Sequence, residues 1–166
     1  MQPFAIEVSG RRRIGKKFIP YNLAQVYKGV RETYILKYRG STWGVQEVLP
    51  MPRILFVDSE PHIRRLCLEE LQDEGYEVEV TGCGGEVVRL VDSFKPDVVI
   101  LEILLPDMSG LETGLMVKGT KRDTVVILYS HMRPPRDLSS WGADEFVVKS
   151  HNLDRLKKVV RRLLPS

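Results

Sequence analysis

Cysteines and long apolar runs are scarce in this sequence of 166 residues. The two cysteines, Cys67 and Cys83, fit neither the spacing of a zinc site nor that of a redox motif, which favours reduced thiols over a disulfide framework. No apolar run approaches the roughly 20 residues needed to span a bilayer, and the N-terminus lacks the apolar stretch of a secretory signal. We therefore expect a soluble, cytoplasmic protein with no membrane partner.

The net charge of +3 conceals two parts of opposite sign. Residues 1–50 carry nine lysines and arginines against three acids, whereas residues 51–166 carry sixteen against nineteen. The charge changes sign at Pro50-Met51-Pro52, so we expect one domain over residues 51–166 and a basic N-terminal segment over residues 1–50. The segment shows no sustained period. It is predicted to be irregular or marginally structured, with one candidate strand from Thr33 to Tyr38.

Strand and helix patterns alternate five times from Arg53 onward. Four of the strands are continuous apolar runs, typical of strands covered on both faces, whereas Tyr76–Val80 alternates and is expected at an edge. Five such units predict an α/β fold, a flavodoxin-like, doubly wound, five-stranded parallel sheet of order 2-1-3-4-5. Pro134-Pro135 shortens the predicted fourth helix to one or two turns between Arg136 and Ser140. Trp141 is expected to cover the gap.

Polar residues stand at the ends of the four apolar strands: Asp58, Glu102, Ser130 and Lys149. The carboxyl ends of parallel strands line the crevice where such folds carry their sites. A carboxylate pair, a hydroxyl and an ammonium that meet there have the composition of a phosphoryl-transfer site.

Three motifs in order make residues 53–164 resemble the receiver domain of two-component response regulators, the module that sensor histidine kinases phosphorylate. They span residues 53–65, 96–110 and 142–149. The resemblance implies an aspartate nucleophile at the end of the third strand and two acids after the first strand that hold Mg²⁺. It also implies a serine or threonine that bonds the phosphoryl group and a lysine that neutralises it.

The chain departs from that pattern at two positions. Ser130 and Lys149 match the family, and Asp58 matches the first acid. Ser59 replaces the second acid, and Glu102 replaces the phosphoacceptor. Because Mg²⁺ needs well-placed carboxylates, we expect at most a weak metal site at Asp58 and Glu102. A misplacement of about 1 Å can cost about a hundredfold in rate, so efficient phosphorylation of Glu102 is not expected.

Two interpretations of Glu102 remain open. Its longer side chain can bring a carboxylate toward Ser130 and Lys149, as a partial mimic of the phosphorylated state. It would carry one negative charge, against nearly two for a phosphoryl group at neutral pH. Alternatively, Glu102 and Lys149 form a structural ion pair with no consequence for signalling.

Two smaller features concern the last strand and the residue after it. Phe146 stands where the resemblance implies an aromatic switch residue that swings inward on activation. Since it lacks a hydroxyl, we expect a plain core residue. Ser150 follows Lys149 where the family commonly has a cis proline, and a cis bond to serine would cost about 3–4 kcal/mol, so a trans bond is expected.

The leading hypothesis is a non-enzymatic, degenerate receiver that signals through protein contacts without phosphorylation, as a monomer or weak dimer. Its partner is expected on the face of the fourth helix, fifth strand and fifth helix, and a sensor histidine kinase is a second candidate partner. A still phosphorylatable receiver is one alternative. Another is a nucleic-acid-binding regulator, in which the basic segment contacts phosphates and its aromatic residues stack on bases.

Met51 is a candidate natural start of the protein. The receiver motif begins directly after it, and the charge changes sign there. Gln46-Glu47-Val48 can also be encoded by a ribosome-binding sequence at a workable distance from the Met51 codon. Residues 1–50 are then expected to lie outside the native product.

Overall fold

The structure is a computed structural model that describes residues 6–14, 17–28, 34–37, 47–48, 51–134 and 137–164. The backbone divides into two compact units, residues 1–51 and residues 52–166. The division lies beside Pro50-Met51-Pro52, where the charge of the sequence changes sign. No helix within the described ranges is long and apolar enough to cross a membrane.

The described residues of the N-terminal unit form four strands: β1 (Ile6–Ile14), β2 (Lys17–Lys28), β3 (Tyr34–Lys37) and β4 (Glu47–Val48). These strands pair antiparallel in chain order. The sequence indicates an irregular segment with one strand, and β3 lies within that candidate strand. The strands β1, β2 and β4 differ from the expectation, because strand pairing joins separate stretches of backbone and the sequence of one stretch does not specify it. The rest of the segment lies outside the described residues.

In the part of the second unit that the structure describes, there are five parallel strands: β5 (Arg53–Val57), β6 (Glu77–Thr81), β7 (Val98–Leu101), β8 (Val125–Ser130) and β9 (Glu145–Val148). Their order is β6-β5-β7-β8-β9, which confirms the predicted flavodoxin-like order 2-1-3-4-5. The apolar runs of β5, β7 and β8 lie in the interior of the sheet. β6 exposes Glu77 and Glu79, as its alternating sequence at the sheet edge predicts.

Among the described residues, four α-helices accompany this sheet: α1 (Pro61–Asp73), α2 (Val87–Phe94), α3 (Gly110–Thr120) and α4 (Asp154–Leu163). α1 begins with Pro61, which suits the first helical position because its missing N–H has no partner there. α3 begins after Ser109, whose hydroxyl accepts a hydrogen bond from the Leu111 N–H at 3.2 Å. These local signals set where both helices start.

The connection from β8 to β9 holds a single turn of 3-10 helix, Ser139–Trp141, among its described residues. The shortened fourth helix of the prediction is therefore a 3-10 turn, and Pro135 and Arg136 lie outside the described residues. Leu138 and Trp141 pack against the core beside α2 and α3. The predicted role of Trp141 in covering a gap left by the shortened helix stays a prediction.

The core lies on both faces of the parallel sheet. One layer joins α1 and α4 to strand residues such as Phe56 and Ile100. The other joins α2 and α3 to strand residues such as Leu55 and Leu101. Because successive strand residues point to opposite faces, each interior strand supplies both layers.

Candidate functional site

The sheet brings the four polar residues at its strand ends to one edge. Asp58 and Glu102 directly follow β5 and β7, Ser130 ends β8, and Lys149 directly follows β9. All four are buried, with 1% to 7% of their surface exposed. A buried charge is costly unless it is paired, so the contacts among these side chains decide the character of the site.

The Lys149 ammonium lies between two carboxylates. Its Nζ is 2.6 Å from Asp58 Oδ2 and 2.5 Å from Glu102 Oε2. The ring centroid of Tyr129 lies 5.8 Å from the same nitrogen, within range of a cation–π interaction. Burial lowers the pKa of Lys149, but hydrogen bonds and charges from Asp58 and Glu102 raise it more, so that pKa lies above its ordinary value. Lys149 is therefore charged at neutral pH.

The second oxygen of Glu102 is bound by the main chain. Oε1 accepts hydrogen bonds from the N–H groups of Ile103 at 2.6 Å and Leu104 at 3.2 Å. Burial raises the pKa of Glu102, but hydrogen bonds from Lys149, Ser130 and Leu104 together lower it below its ordinary value. Glu102 is therefore a carboxylate at neutral pH, with donors at both oxygens.

Asp58 is positioned by its own loop. Its Oδ1 accepts a hydrogen bond from the Glu60 N–H at 3.0 Å. Its Oδ2 lies 2.6 Å from Lys149 Nζ, a contact in which the opposite charges of the two groups attract. Asp58, Glu102 and Lys149 together carry one net negative charge.

The residues present do not fit a Mg²⁺ ion. Ser59 is exposed and brings no charge, and the Asp58 and Glu102 carboxylates both contact the Lys149 ammonium. In the part of the chain that the structure describes, no group of three or more histidines, cysteines and acids is placed to hold a metal ion. Magnesium requires near-octahedral oxygen ligands at short distance, and this arrangement offers a cation in their place.

Two further residues of the site escape sequence reasoning. Glu60 brings a third carboxylate, with Oε1 4.0 Å from Lys149 Nζ. Arg64 Nη1 donates to the Asp58 carbonyl oxygen at 2.5 Å and lies so close to Gly82 that a Cβ there would come within 2.7 Å. Both residues lie near Asp58 in the sequence, and this is the one signal that could have assigned them to the site. Their side chains reach the end of β5 because the chain turns there into α1.

Phe146 does not join this polar cluster. Its side chain is buried among the core residues beside α2 and α3, with 6% of the residue exposed. It is a core residue here, as its lack of a hydroxyl suggests. The peptide bond between Lys149 and Ser150 is trans, as expected.

Comparisons with known proteins agree with this architecture. Residues 54–161 match the family model of the response regulator receiver domain. TrcR, a transcriptional regulatory protein of Mycobacterium tuberculosis, is 35% identical over 116 residues, which make up 68% of this chain and 45% of TrcR. The chain thus spans less than half the length of that relative.

Solved structures give the same result. The response regulator TrrA of Thermotoga maritima, in complex with Mg²⁺-BeF, is 49% identical with a TM-score of 0.64, over 69% of this chain and 100% of TrrA. TrrA in complex with the histidine kinase ThkA matches with 47% identity and a TM-score of 0.64, over the same shares of both chains. Since the family model covers well over half of the sequence, this chain belongs to the response regulator receiver domain family, the receivers of two-component signal transduction.

Proposed function

We propose that this receiver signals without being phosphorylated and that Glu102 stands in part for a phosphorylated aspartate. The observation that carries this proposal is the set of contacts at its carboxylate. One oxygen faces the Lys149 ammonium at 2.5 Å, and the other accepts N–H groups of Ile103 and Leu104. These are a cation and main-chain donors of the kind that stabilise an anionic phosphoryl group.

The stand-in is partial for a physical reason. A phosphoryl group brings nearly two negative charges and three strong acceptor oxygens, whereas Glu102 brings one charge and two oxygens. Lys149 accordingly keeps its 2.6 Å contact with Asp58. We infer that every copy of the protein has, at this site, more negative charge than a neutral side chain would bring and less than a phosphoryl group would bring.

Phosphoryl transfer itself is poorly supported by these residues. The reaction depends on positioned cations that meet the charge developing on the phosphoryl group. Here Lys149 already contacts two carboxylates. The second of the two positions after β5 where the family has acids is occupied by Ser59, which has no carboxylate. We therefore propose a degenerate, non-enzymatic receiver.

Incubation with acetyl phosphate and Mg²⁺, followed by intact-mass measurement, tests this proposal. We expect no phosphoryl adduct on the wild-type chain. The doubly substituted chain Ser59→Asp/Glu102→Asp is the matched positive control, because it regains both missing aspartates. A stoichiometric acid-labile adduct on Glu102 of the wild type would overturn the proposal and establish a phosphorylatable receiver.

The alternative of a purely structural Glu102–Lys149 ion pair rests on the same contact. The substitution Glu102→Gln distinguishes this alternative from a signalling role. Glutamine keeps an oxygen for the N–H groups of Ile103 and Leu104 but removes the negative charge. A signalling role predicts weaker binding of the partner protein by this variant at equal folded fraction. An ion pair without a signalling role predicts loss of stability with unchanged partner binding.

The proposed partner is a protein, and the TrrA–ThkA complex makes a sensor histidine kinase one candidate. The proposed face consists of β9, α4 and the preceding 3-10 turn, which replaces the fourth helix of the prediction. β9 contributes Val148, 39% exposed, and α4 contributes the exposed bases Arg155 and Lys158. Such a surface suits a partner with acidic residues around an apolar contact, located with this chain in the cytoplasm.

Nucleic-acid binding remains the second candidate, favoured by the net charge of +6 on residues 1–50. Basic segments bind nucleic acid through phosphate contacts, so their affinity falls steeply with salt. Retention of the full chain on duplex DNA at low salt, lost on removal of residues 1–50, would support this function. Equal behaviour of the two chains would exclude it.

A further inference from the structure

Helix α3 exposes two neighbouring apolar side chains. Leu115 is 51% exposed and Met116 is 40% exposed, whereas Val117 on the opposite face is fully buried. A helix with apolar residues on both faces is ordinarily covered on both. α4 contrasts with it, because its outward face carries Arg155 and Lys158. The sheet covers only one face of α3.

The position of α3 is set by backbone contacts at glycines. A Cβ at Gly110 would lie 2.2 Å from the Glu102 carbonyl oxygen, and a Cβ at Gly114 would lie 2.9 Å from the Trp141 carbonyl oxygen. α3 is therefore wedged between the site and the 3-10 turn. It cannot turn to bury Leu115 within its own domain without breaking these contacts.

The outward face of α3 also has a notch and two unpaired charges. A Cβ added at Gly119 would meet no atom within 4 Å, and Gly119 follows Leu115 by one helical turn. Glu112, in the first turn, and Arg122, just beyond the last, are exposed. Within the described part of the chain, neither of these side chains has an ion pair or hydrogen bond. The face thus offers two exposed apolar side chains, a position without a side chain, an acid at one end and a base at the other.

We infer that this face binds a second copy of the same chain, with the two α3 helices antiparallel. A two-fold axis makes the same patch meet itself, which requires a self-complementary surface. Leu115 and Met116 of one copy then pack on those of the other and beside its Gly119. Glu112 of each copy lies toward Arg122 of the other, and the antiparallel helix dipoles attract. This inference is independent of the role proposed for Glu102.

The dimer is weak and reversible because the helix is short. The 11 residues of α3 span about 16 Å, which buries far less than the roughly 1,600 Å² of a standard protein interface. Dimerisation is therefore expected to depend on protein concentration in the accessible range.

Sedimentation equilibrium of the full chain over a concentration series tests the inference. The weight-average mass should rise from 19.0 kDa toward twice that value as concentration increases. Leu115→Glu should raise the dissociation constant by about tenfold or more, and Gly119→Leu should act in the same direction by filling the notch. Leu66→Glu is the matched control, since Leu66 is 43% exposed on α1 and should leave the mass unchanged. Circular dichroism verifies that each variant is folded.

A charge exchange tests the antiparallel arrangement. Glu112→Arg and Arg122→Glu should each weaken dimerisation by about threefold, and the two substitutions in one chain should restore it. A wild-type chain that stays at monomer mass throughout would overturn the inference and leave this face to a different molecule. Equal effects of Leu66→Glu and Leu115→Glu, or no restoration by the double exchange, would also overturn it.

Discussion

Lys149 Nζ lies 2.5 Å from Glu102 Oε2, and the two side chains are only 4% and 8% exposed. The same ammonium lies 2.6 Å from Asp58 Oδ2. One cation therefore contacts two buried acids that follow separate strands. Replacing the lysine leaves two carboxylates that repel each other, whereas replacing one of the acids leaves an ion pair between the lysine and the other acid.

Lys149→Ala should destabilise the domain by about 3 kcal/mol at neutral pH, because it leaves Asp58 and Glu102 without their cation. In the variant, repulsion raises the folded-state pKa of one carboxylate above its unfolded value. A raised pKa favours the folded state at low pH, so the loss should shrink as pH falls toward about 5. Urea unfolding from pH 5 to 8 measures it. A loss independent of pH would show that Lys149 does not pair with these acids.

Glu102→Gln should reveal the lowered pKa of Glu102. A carboxylate whose folded-state pKa is lowered contributes stability above its unfolded pKa and loses it as pH falls through the folded value. The difference in free energy of unfolding between wild type and variant should therefore be largest near pH 7. It should vanish at pH values well below 4.5, the ordinary pKa of the group.

Glu102→Asp alone should not restore full phosphorylation, because Ser59 still leaves the acidic pair without its second carboxylate. Glu102→Asp with Ser59→Asp should give a much higher yield of acyl phosphate with acetyl phosphate at equal Mg²⁺. The yields can be compared by intact-mass measurement. Equal yields from the single and double variants would show that Ser59 does not limit phosphorylation.

Gly110→Ala and Gly119→Ala should have opposite effects on stability. A Cβ at Gly110 would lie 2.2 Å from the backbone oxygen of Glu102, and no flexible side chain is there to yield. We expect a loss of about 3 kcal/mol or more, as for other severe overpacking. Gly119 has open space, so alanine should stabilise α3 by up to about 1 kcal/mol. Thermal unfolding at low concentration compares the two, and similar effects would contradict the packing described.

Removal of residues 1–50 should leave the stability of the receiver nearly unchanged. The parallel sheet, its four helices and the family match all lie within residues 52–166. Urea midpoints of the full and shortened chains provide the measurement, and a large drop on shortening would contradict the expectation. If Met51 is the natural start, N-terminal analysis of the native protein should begin there, whereas a native protein that begins at Met1 would exclude it.

The sequence by itself determined the parallel sheet and the positions of the site. The apolar runs of β5, β7 and β8 are long, local signals, and the polar residues that end them need only the parallel arrangement to share an edge. The pair Pro134-Pro135 indicated a shortened element between β8 and β9, where the described residues hold a single turn of 3-10 helix, Ser139–Trp141. The match at three ordered motifs pointed to the family that the comparisons establish.

Tertiary structure alone decided how the charges are shared. Whether Lys149 binds Asp58, Glu102 or both depends on how three strand ends that are distant in sequence are placed relative to one another. The approach of Glu60 and Arg64 depends on the turn into α1, and the strands of the basic segment depend on pairing between separate stretches of backbone. Local patterns specify which elements form and which faces are buried. Distances between side chains arise from the packing of all elements together, which no single stretch of sequence contains.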